Sequence, residues 1–382
     1  MNVKSGKNTI CVHAGGLDDE NWKGLSSPVI SSTSYRYRET VSRGYPRYFQ
    51  SPNQKAVIDK LCALEKTEDG LLFSSGMAAI SSTILSLVKT GQHIVVQSEV
   101  YGGTSALFID ICAPLKIEFS FVNSSVEAIV EAIRNDTVLI FIECPTNPTL
   151  ATLDIATLTK SISGKNITTV IDNTFATPIN QNPSQLGIDI VVHSGTKFLS
   201  GHSDLCCGVI LGKKVYIAQI RQTAKSLGGS LNATDCYLLE RSLKTLNLRV
   251  QKQTANAQKI AELLSNHKSV KQVHYPGLPS NQYHEIAKLQ MSGFGSMIAF
   301  SLSDQCNPDV FMSSLKIIIT ASSLGGVETI ISQPWFASHQ AMPEAQKIAL
   351  GIDRDLFRLS VGIEDIEDLL DDIQLGIEAS EK

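Results

Sequence analysis

The residue of this sequence best placed to do chemistry is Lys197, which stands among small hydroxyl and glycine residues. It follows an apolar, β-like run at 188–192, and Ser194 and Thr196 supply hydroxyl groups beside it. Glycines in the same stretch let the backbone approach a ligand closely. A lone lysine after a strand is usually a surface ammonium. This setting also suits a lysine that forms a Schiff base with an aldehyde cofactor.

A carboxylate ends another apolar run upstream, at Asp172. Taken alone, it is explained equally well by a helix cap or a turn. In a cofactor site it would keep the pyridine nitrogen of pyridoxal phosphate protonated, so that the ring can absorb an electron pair. Because the carboxyl ends of parallel strands meet at one edge of a sheet, we expect Asp172 and Lys197 to lie along the same edge.

Seven motifs, in order, resemble the pyridoxal-phosphate enzymes of cysteine and methionine metabolism. This family includes cystathionine β-lyase, cystathionine γ-lyase, cystathionine γ-synthase and methionine γ-lyase. Each motif is weak alone, but together they extend along nearly the whole chain. They are Ser74–Ala78, Tyr101–Thr104, Glu143–Pro148, Asp172–Phe175, Ser194–Lys197, Ser323–Gly326 and Arg358–Asp365.

The resemblance implies an α/β fold of the fold-type I, aspartate-aminotransferase-like class, with pyridoxal 5'-phosphate as cofactor. The alternation of strand-like and helix-like segments independently predicts a mainly parallel sheet covered on both faces. We expect an N-terminal arm at 1–51, a large cofactor-binding domain at 52–246 and a smaller α+β domain at 247–382.

Hydrophobic spacing predicts the individual elements. Helices are predicted at 54–66, 77–88, 231–266, 343–350 and 365–379. Strands are predicted at 93–97, 117–122, 138–142, 168–172, 188–193, 207–211, 296–302, 317–319 and 357–361.

A serine–glycine turn that opens a predicted helix, Ser75-Gly76-Met77, offers free backbone N–H groups for a phosphate, although a plain helix cap explains it equally well. The resemblance implies that Tyr101 stacks on the cofactor ring and assists proton transfer. It also implies a set of cofactor contacts. These are Lys197, Ser75, Gly76, Met77, Tyr101, Asp172, Thr174, Ser194 and Thr196, with Tyr45 and Arg47 from a neighbouring subunit.

The arm carries the pair Tyr45 and Arg47, which outside the family context reads as ordinary solvated loop residues. The resemblance implies that both contact the cofactor phosphate of a neighbouring subunit, which suits the planar fork of arginine. Residues 45–54 depart from the family pattern just after this pair, as though one residue were inserted. The resemblance further implies a homotetramer built from dimers with shared active sites.

Arg358 is flanked by apolar residues and therefore needs an anion, for which a structural salt bridge is one explanation. The resemblance makes it the clamp for the substrate's α-carboxylate, together with Asn147 and the backbone near Ser323. Such a clamp would align the Cα–H bond for removal of its proton by Lys197.

Composition favours a soluble, cytoplasmic protein that acts on a small amino acid. The 382 residues are 43% hydrophobic and 18% charged with a net charge of −4, and no basic cluster suggests nucleic acid or a membrane. The N-terminus lacks the apolar core of a signal peptide. Eight scattered cysteines are read as reduced core residues with no metal-site spacing, Cys144 being expected nearest a site.

The reaction is expected to be carbon–sulfur bond cleavage in transsulfuration, on the route of methionine and cysteine metabolism. Methionine γ-lyases carry cysteine where this chain has Gly103, and γ-cleaving cystathionine enzymes often carry glutamate where it has Ser322. These positions favour β-elimination from cystathionine. Cystathionine γ-lyase or γ-synthase activity stays open, as does a non-catalytic pyridoxal-phosphate-binding protein.

Overall fold

The computed structural model describes residues 5–36, 38, 44–340 and 342–381. The arm predicted at 1–51 therefore includes positions 1–4, 37 and 39–43 that lie outside the described residues. The helices are α1 (Lys7–His13), α2 (Pro52–Glu65), α3 (Gly76–Leu87), α4 (Gly102–Leu107), α5 (Val126–Glu131), α6 (Ile155–Ser161), α7 (Thr177–Asn180), α8 (Lys214–Leu227), α9 (Ala233–Leu243), α10 (Leu246–Asn266), α11 (His284–Gln290), α12 (Pro308–Ser314), α13 (Glu344–Ala349) and α14 (Ile366–Ser380).

Two β-sheets organise these helices. The strands are β1 (Asp69–Phe73), β2 (His93–Gln97), β3 (Glu118–Val122), β4 (Thr137–Glu143), β5 (Thr168–Asp172), β6 (Ile190–Ser194), β7 (Gly208–Gly212), β8 (Val270–His274), β9 (Met297–Leu302), β10 (Ile319–Thr320), β11 (Ile330–Ser332) and β12 (Leu356–Ser360).

The larger sheet has the strand order β1-β7-β6-β5-β4-β2-β3. Its strands run parallel except β7, which is antiparallel to both of its neighbours. The predicted α/β fold with a mainly parallel sheet is confirmed. Because β4, β5 and β6 run the same way, their carboxyl ends bring Glu143, Asp172 and Ser194 to one edge.

Helices cover both faces of this sheet, which explains why its strands are apolar throughout rather than alternating. In β2, Ile94 and Val96 pack on the side of α3 and α8, whereas Val95 packs on the side of α5 and α6. All three side chains are fully buried. A parallel sheet covered in this way leaves its carboxyl edge as the natural place for a cleft.

The smaller sheet has the order β10-β11-β12-β9-β8 and is antiparallel apart from β10 with β11. Phe300, Phe311 and Phe357 form an aromatic core beneath it, with ring centroids 5.2–6.0 Å apart. Helix α10 begins at Leu246, where the sequence predicts the domain boundary. The division into domains stays a prediction.

Two predicted elements differ from the structure. The long helix predicted at 231–266 is two helices, α9 and α10, separated at Lys244 and Thr245. The strand predicted at 317–319 is reduced to β10, because the backbone N–H groups of Ile317 and Ile318 donate to the buried carboxylate of Asp372 instead of to a neighbouring strand.

The N-terminal segment contains helix α1, which places Cys11 in the core, followed by irregular chain in which Trp22 and Leu25 are 88% and 99% exposed. The residues that depart from the family pattern have a structural use. Ser51 and Gln54 form a capping box at the start of α2, and the Gln54 side chain also donates to the carbonyl of Leu231.

No helix in the described part of the chain is both long and apolar enough to cross a membrane.

Candidate functional site

A cavity of about 620 Å³ lies at the carboxyl edge of the larger sheet and reaches the smaller one. The sequence-predicted residues that line it converge from both sheets and from the turns after β1 and β2. They are Ser75, Gly76, Met77, Tyr101, Asn147, Asp172, Thr174, Ser194, Thr196, Lys197, Ser323 and Arg358. The structure thus brings these residues together, while the role of each stays a proposal.

Tyr45 and Arg47 do not line this cavity. Arg47 is exposed, donates to the backbone carbonyl of Lys225, and lies over the ring of Tyr48 at 4.7 Å from its centroid. The expectation that these two residues serve another subunit is therefore compatible with their positions.

Lys197 follows β6 in a tight turn, where its Nζ donates to Ser323 Oγ at 2.6 Å. The two carbonyls that follow it, those of Phe198 and Leu199, accept from the buried guanidinium of Arg249. Burial lowers the pKa of Lys197 from its usual 10.5, and the nearby Arg358 lowers that pKa further. The amine is therefore easier to use as a base than an ordinary surface lysine.

Two buried carboxyls lie side by side at the strand ends, since Glu143 pairs in register with Asp172. Asp172 accepts from the backbone N–H of Thr174 at 2.9 Å and from its hydroxyl. Burial raises the pKa of both carboxyls, and that of Glu143 is raised further by Asp172. Neither carboxyl has an ion-pair partner within the described ranges, so a cationic group in this cavity would be favoured.

Arg358 reaches the cavity from the middle of β12. Its Nη1 donates to Asn147 Oδ1 at 3.1 Å and its Nη2 to the carbonyl of Ser323 at 2.9 Å. Nε is buried without a partner, and burial lowers the pKa of Arg358 to about 10. The backbone of Ser323, whose carbonyl accepts from Arg358, is left-handed, with a φ of 79°.

These residues fit pyridoxal phosphate. Helix α3 opens into the cavity with Ser75 as its cap, and the side chains of Ser194 and Thr196 line the same cavity, an arrangement that suits a phosphate. Asp172 supplies a buried carboxylate for a protonated ring nitrogen, Lys197 an amine for the aldehyde, and Tyr101 an aromatic face.

Sequence reasoning missed several residues at this site. Glu143 belongs to a recognised motif, yet no role was expected for it. His339 is 2% exposed and contacts Ser338 Oγ through Nδ1 at 2.9 Å, and no local pattern marks it. Cys206 lines the cavity, whereas Cys144, the cysteine expected near a site, follows the lining residue Glu143 but does not itself line the cavity. The thiol of Cys144 points instead to the carbonyl of Leu153.

Within the described residues, no group of three or more histidine, cysteine, aspartate or glutamate side chains could hold a metal ion.

Known proteins are similar to this chain along nearly its whole length. The family described as "Cys/Met metabolism PLP-dependent enzyme" matches residues 8–378. The chain is 39% identical to cystathionine gamma-lyase of Bacillus subtilis (strain 168), covering 97% of this chain and 99% of that one. It is also 39% identical to cystathionine beta-lyase of Lactococcus lactis subsp. cremoris (strain MG1363), covering 97% and 98%.

A solved structure, cystathionine gamma-lyase from Lactobacillus plantarum complexed with L-serine, superposes with a TM-score of 0.93 at 36% identity. The superposition covers 98% of this chain and 99% of that one.

The buried imidazole of His339 predicts a pH dependence of stability. Burial lowers its pKa from 6.5 to about 4, and the charges of Arg358 and Lys347 add to the effect. As pH falls below 6.5, His339 binds a proton in the unfolded chain but stays neutral in the folded chain, so the free energy of unfolding decreases. Relative to His339→Gln, the wild type should lose up to about 1.4 kcal/mol of unfolding free energy per pH unit.

Urea unfolding of both proteins at pH 7 and pH 5 measures this difference. Parallel pH dependences in the two proteins would show that His339 is protonated as readily in the folded chain as in the unfolded one.

Proposed function

The chain belongs to the Cys/Met metabolism PLP-dependent enzyme family, and on that premise we propose that it is a carbon–sulfur lyase that cleaves cystathionine by β-elimination. The products would be homocysteine, pyruvate and ammonia. The observation that carries the proposal is the meeting of Lys197, Asp172 and Arg358 in one cavity. They supply a base, a carboxylate for the cofactor ring and a clamp for the substrate's carboxylate.

Pyridoxal phosphate, when bound, supplies an aldehyde for the substrate's amino group and a protonated ring that draws off the electron pair left at Cα. Asp172 keeps the proton on the ring nitrogen, and the two hydrogen bonds from Thr174 fix its carboxylate for that purpose. The start of α3, with Ser75, binds the phosphate.

Arg358 binds the substrate's α-carboxylate. Its guanidinium is already held by Asn147 and Ser323, so little side-chain freedom is lost when the substrate arrives. Fixing one end of the amino acid aligns its Cα–H bond with the base.

Lys197 removes the proton from Cα and then returns a proton to the departing sulfur. Its lowered pKa supports this role, because a larger fraction of the amine is neutral at physiological pH. Tyr101, which lines the cavity with Lys197, would move a proton between the substrate's amine and the amine of Lys197.

Relatives of equal identity are named for β- and γ-lyase activity, so the choice between the two reactions rests on positions 103 and 322 of this chain. A Cβ added at Gly103 would lie 2.6 Å from Cε1 of Tyr101, so the cysteine that methionine γ-lyases carry at this position would require the ring of Tyr101 to shift. Ser322, which lines the cavity, stands where γ-cleaving enzymes often have glutamate.

The enzyme is assembled as a homotetramer of dimers, in which each arm completes a neighbour's site. Arg47 supports this assembly because it lies outside the cavity of its own chain. The exposed side chains of Trp22 and Leu25 also support it, because a neighbouring subunit would bury them.

Supplying cystathionine alone and measuring both keto acids tests the reaction. β-Elimination breaks the Cβ–S bond and releases pyruvate, whereas γ-elimination releases 2-oxobutyrate. We expect pyruvate in large excess. Release of 2-oxobutyrate as the main product would assign γ-elimination, and release of neither by the cofactor-loaded protein would favour the non-catalytic binding protein.

Replacing the central lysine, Lys197→Ala, should lower keto-acid release by at least about a thousand-fold. The fold should persist, because a half-buried turn lysine leaves no core cavity when truncated. Lys213→Ala is a matched control, since that lysine only forms an exposed ion pair with Asp189. Equal activity of the two variants, measured alongside their melting temperatures, would refute the assigned centre.

Mixing two inactive variants tests the shared site. Arg47→Ala and Lys197→Ala are dissociated, combined and reassociated, so that a hybrid dimer contains one site with both residues intact. Activity should reappear on mixing. If mass measurement shows hybrids but no activity returns, Arg47 serves its own subunit.

A further inference from the structure

The backbone of Tyr101 is held from two sides. Its carbonyl accepts from the N–H groups of Thr104 and Ser105 at the start of α4, and its own N–H donates to Glu143 Oε2 at 2.8 Å. No side chain caps α4 at this end. The carboxylate of Glu143 therefore ties the backbone of Tyr101 to the end of β4.

The ring of Tyr101 cannot be fixed by packing alone, because the residue is 43% exposed. The next two residues are Gly102 and Gly103, whose backbone has little stiffness of its own. The ring folds back over Gly103, close enough that a Cβ there would meet it at 2.6 Å. Because side-chain packing constrains the ring of Tyr101 so little, its position depends on hydrogen bonds to the backbone of that residue.

Burying the carboxyl of Glu143 is unfavourable for the stability of the folded chain. The residue is 5% exposed and stands in register with the carboxyl of Asp172. The described residues form no ion pair with it, although the backbone N–H of Asn147 and the charge of Arg358 partly favour its ionised form. Burying an unpaired carboxyl costs free energy. An apolar side chain of similar size would serve the core better, so its presence points to a use in the site.

We propose that Glu143 is a positioning residue that fixes the ring of Tyr101 over the cavity by accepting the backbone N–H of Tyr101. The functional part of this inference rests on the proposed role of Tyr101 in the lyase. Glu143 touches neither substrate nor the reacting atoms in this assignment, and it acts through the segment that it holds.

The test uses Glu143→Met, which keeps the size of the side chain but removes the acceptor, and Glu143→Gln, which keeps one acceptor oxygen. The matched control is Asp372→Asn, since Asp372 is a buried carboxylate that accepts three backbone N–H groups far along the chain and does not line the cavity.

Hydrogen exchange at Tyr101 in the cofactor-free protein is measured first. Glu143→Met should speed that exchange by about ten-fold or more, Glu143→Gln by less, and Asp372→Asn should leave it unchanged. Glu143→Met should meanwhile unfold at the same or a higher urea concentration than the wild type, an outcome that a merely structural residue would not give.

Turnover of the cofactor-loaded protein is measured second. We expect Glu143→Met to lower kcat about ten-fold or more while KM changes less than about three-fold, because the hydrogen bonds of Arg358 to Asn147 Oδ1 and to the carbonyl of Ser323 do not involve Glu143. Unchanged exchange at Tyr101, or an equal fall in kcat for Asp372→Asn, would overturn the proposal. Should Glu143→Met fail to fold, the smaller increase in exchange at Tyr101 expected for Glu143→Gln, measured against Asp372→Asn, decides the proposal.

The lyase activity and the contact between Glu143 and Tyr101 are tested by different measurements. If no sulfur amino acid is cleaved by the wild type, the proposed lyase activity is wrong, yet the exchange measurement still decides whether Glu143 holds Tyr101.

Discussion

A buried arginine that lacks a carboxylate partner joins the two sheets of this protein. Arg358, in the middle of β12, contacts Asn147 in the loop after β4 and the carbonyl of Ser323, and the described residues provide no ion pair for it. Neutral acceptors offset only part of the cost of burying a guanidinium. The cavity between the sheets is therefore built around a charge that an incoming anion would satisfy.

The same unbalanced electrostatics extends across the cavity. Asp172 and Glu143 lie at adjacent strand ends and Lys197 lies near Arg358, so like charges are neighbours on both sides, and the attraction between Glu143 and Arg358 offsets only part of this repulsion. Such groups destabilise an empty site and are stabilised when a cofactor and substrate of opposite charge arrive. The stability of the fold comes from elsewhere, from the apolar strands between their helical layers and from the aromatic core of the smaller sheet.

Much of this could be predicted from the sequence. Apolar runs that end in Asp172 and Lys197 predict strands whose ends meet, and the resemblance places Asn147, Ser323 and Arg358 beside them. Contacts between distant segments could not be predicted in the same way. The hydrogen bond from Tyr101 to Glu143 spans 42 residues and follows no periodicity. The loss of the strand predicted at 317–319 depends on Asp372, which lies more than 50 residues away.

Three features of the structure restrict which residue can occupy position 323. The hydroxyl of Ser323 accepts from Lys197, its carbonyl accepts from Arg358, and its left-handed backbone strains any residue with a Cβ. Glycine would relieve the strain and lose the hydroxyl, whereas a larger side chain would keep the strain and crowd the cavity. A small hydroxyl side chain keeps the hydrogen bond from Lys197 without crowding the cavity, whereas the carbonyl that accepts from Arg358 is present whatever the side chain. One residue thereby positions a lysine through its side chain and an arginine through its backbone.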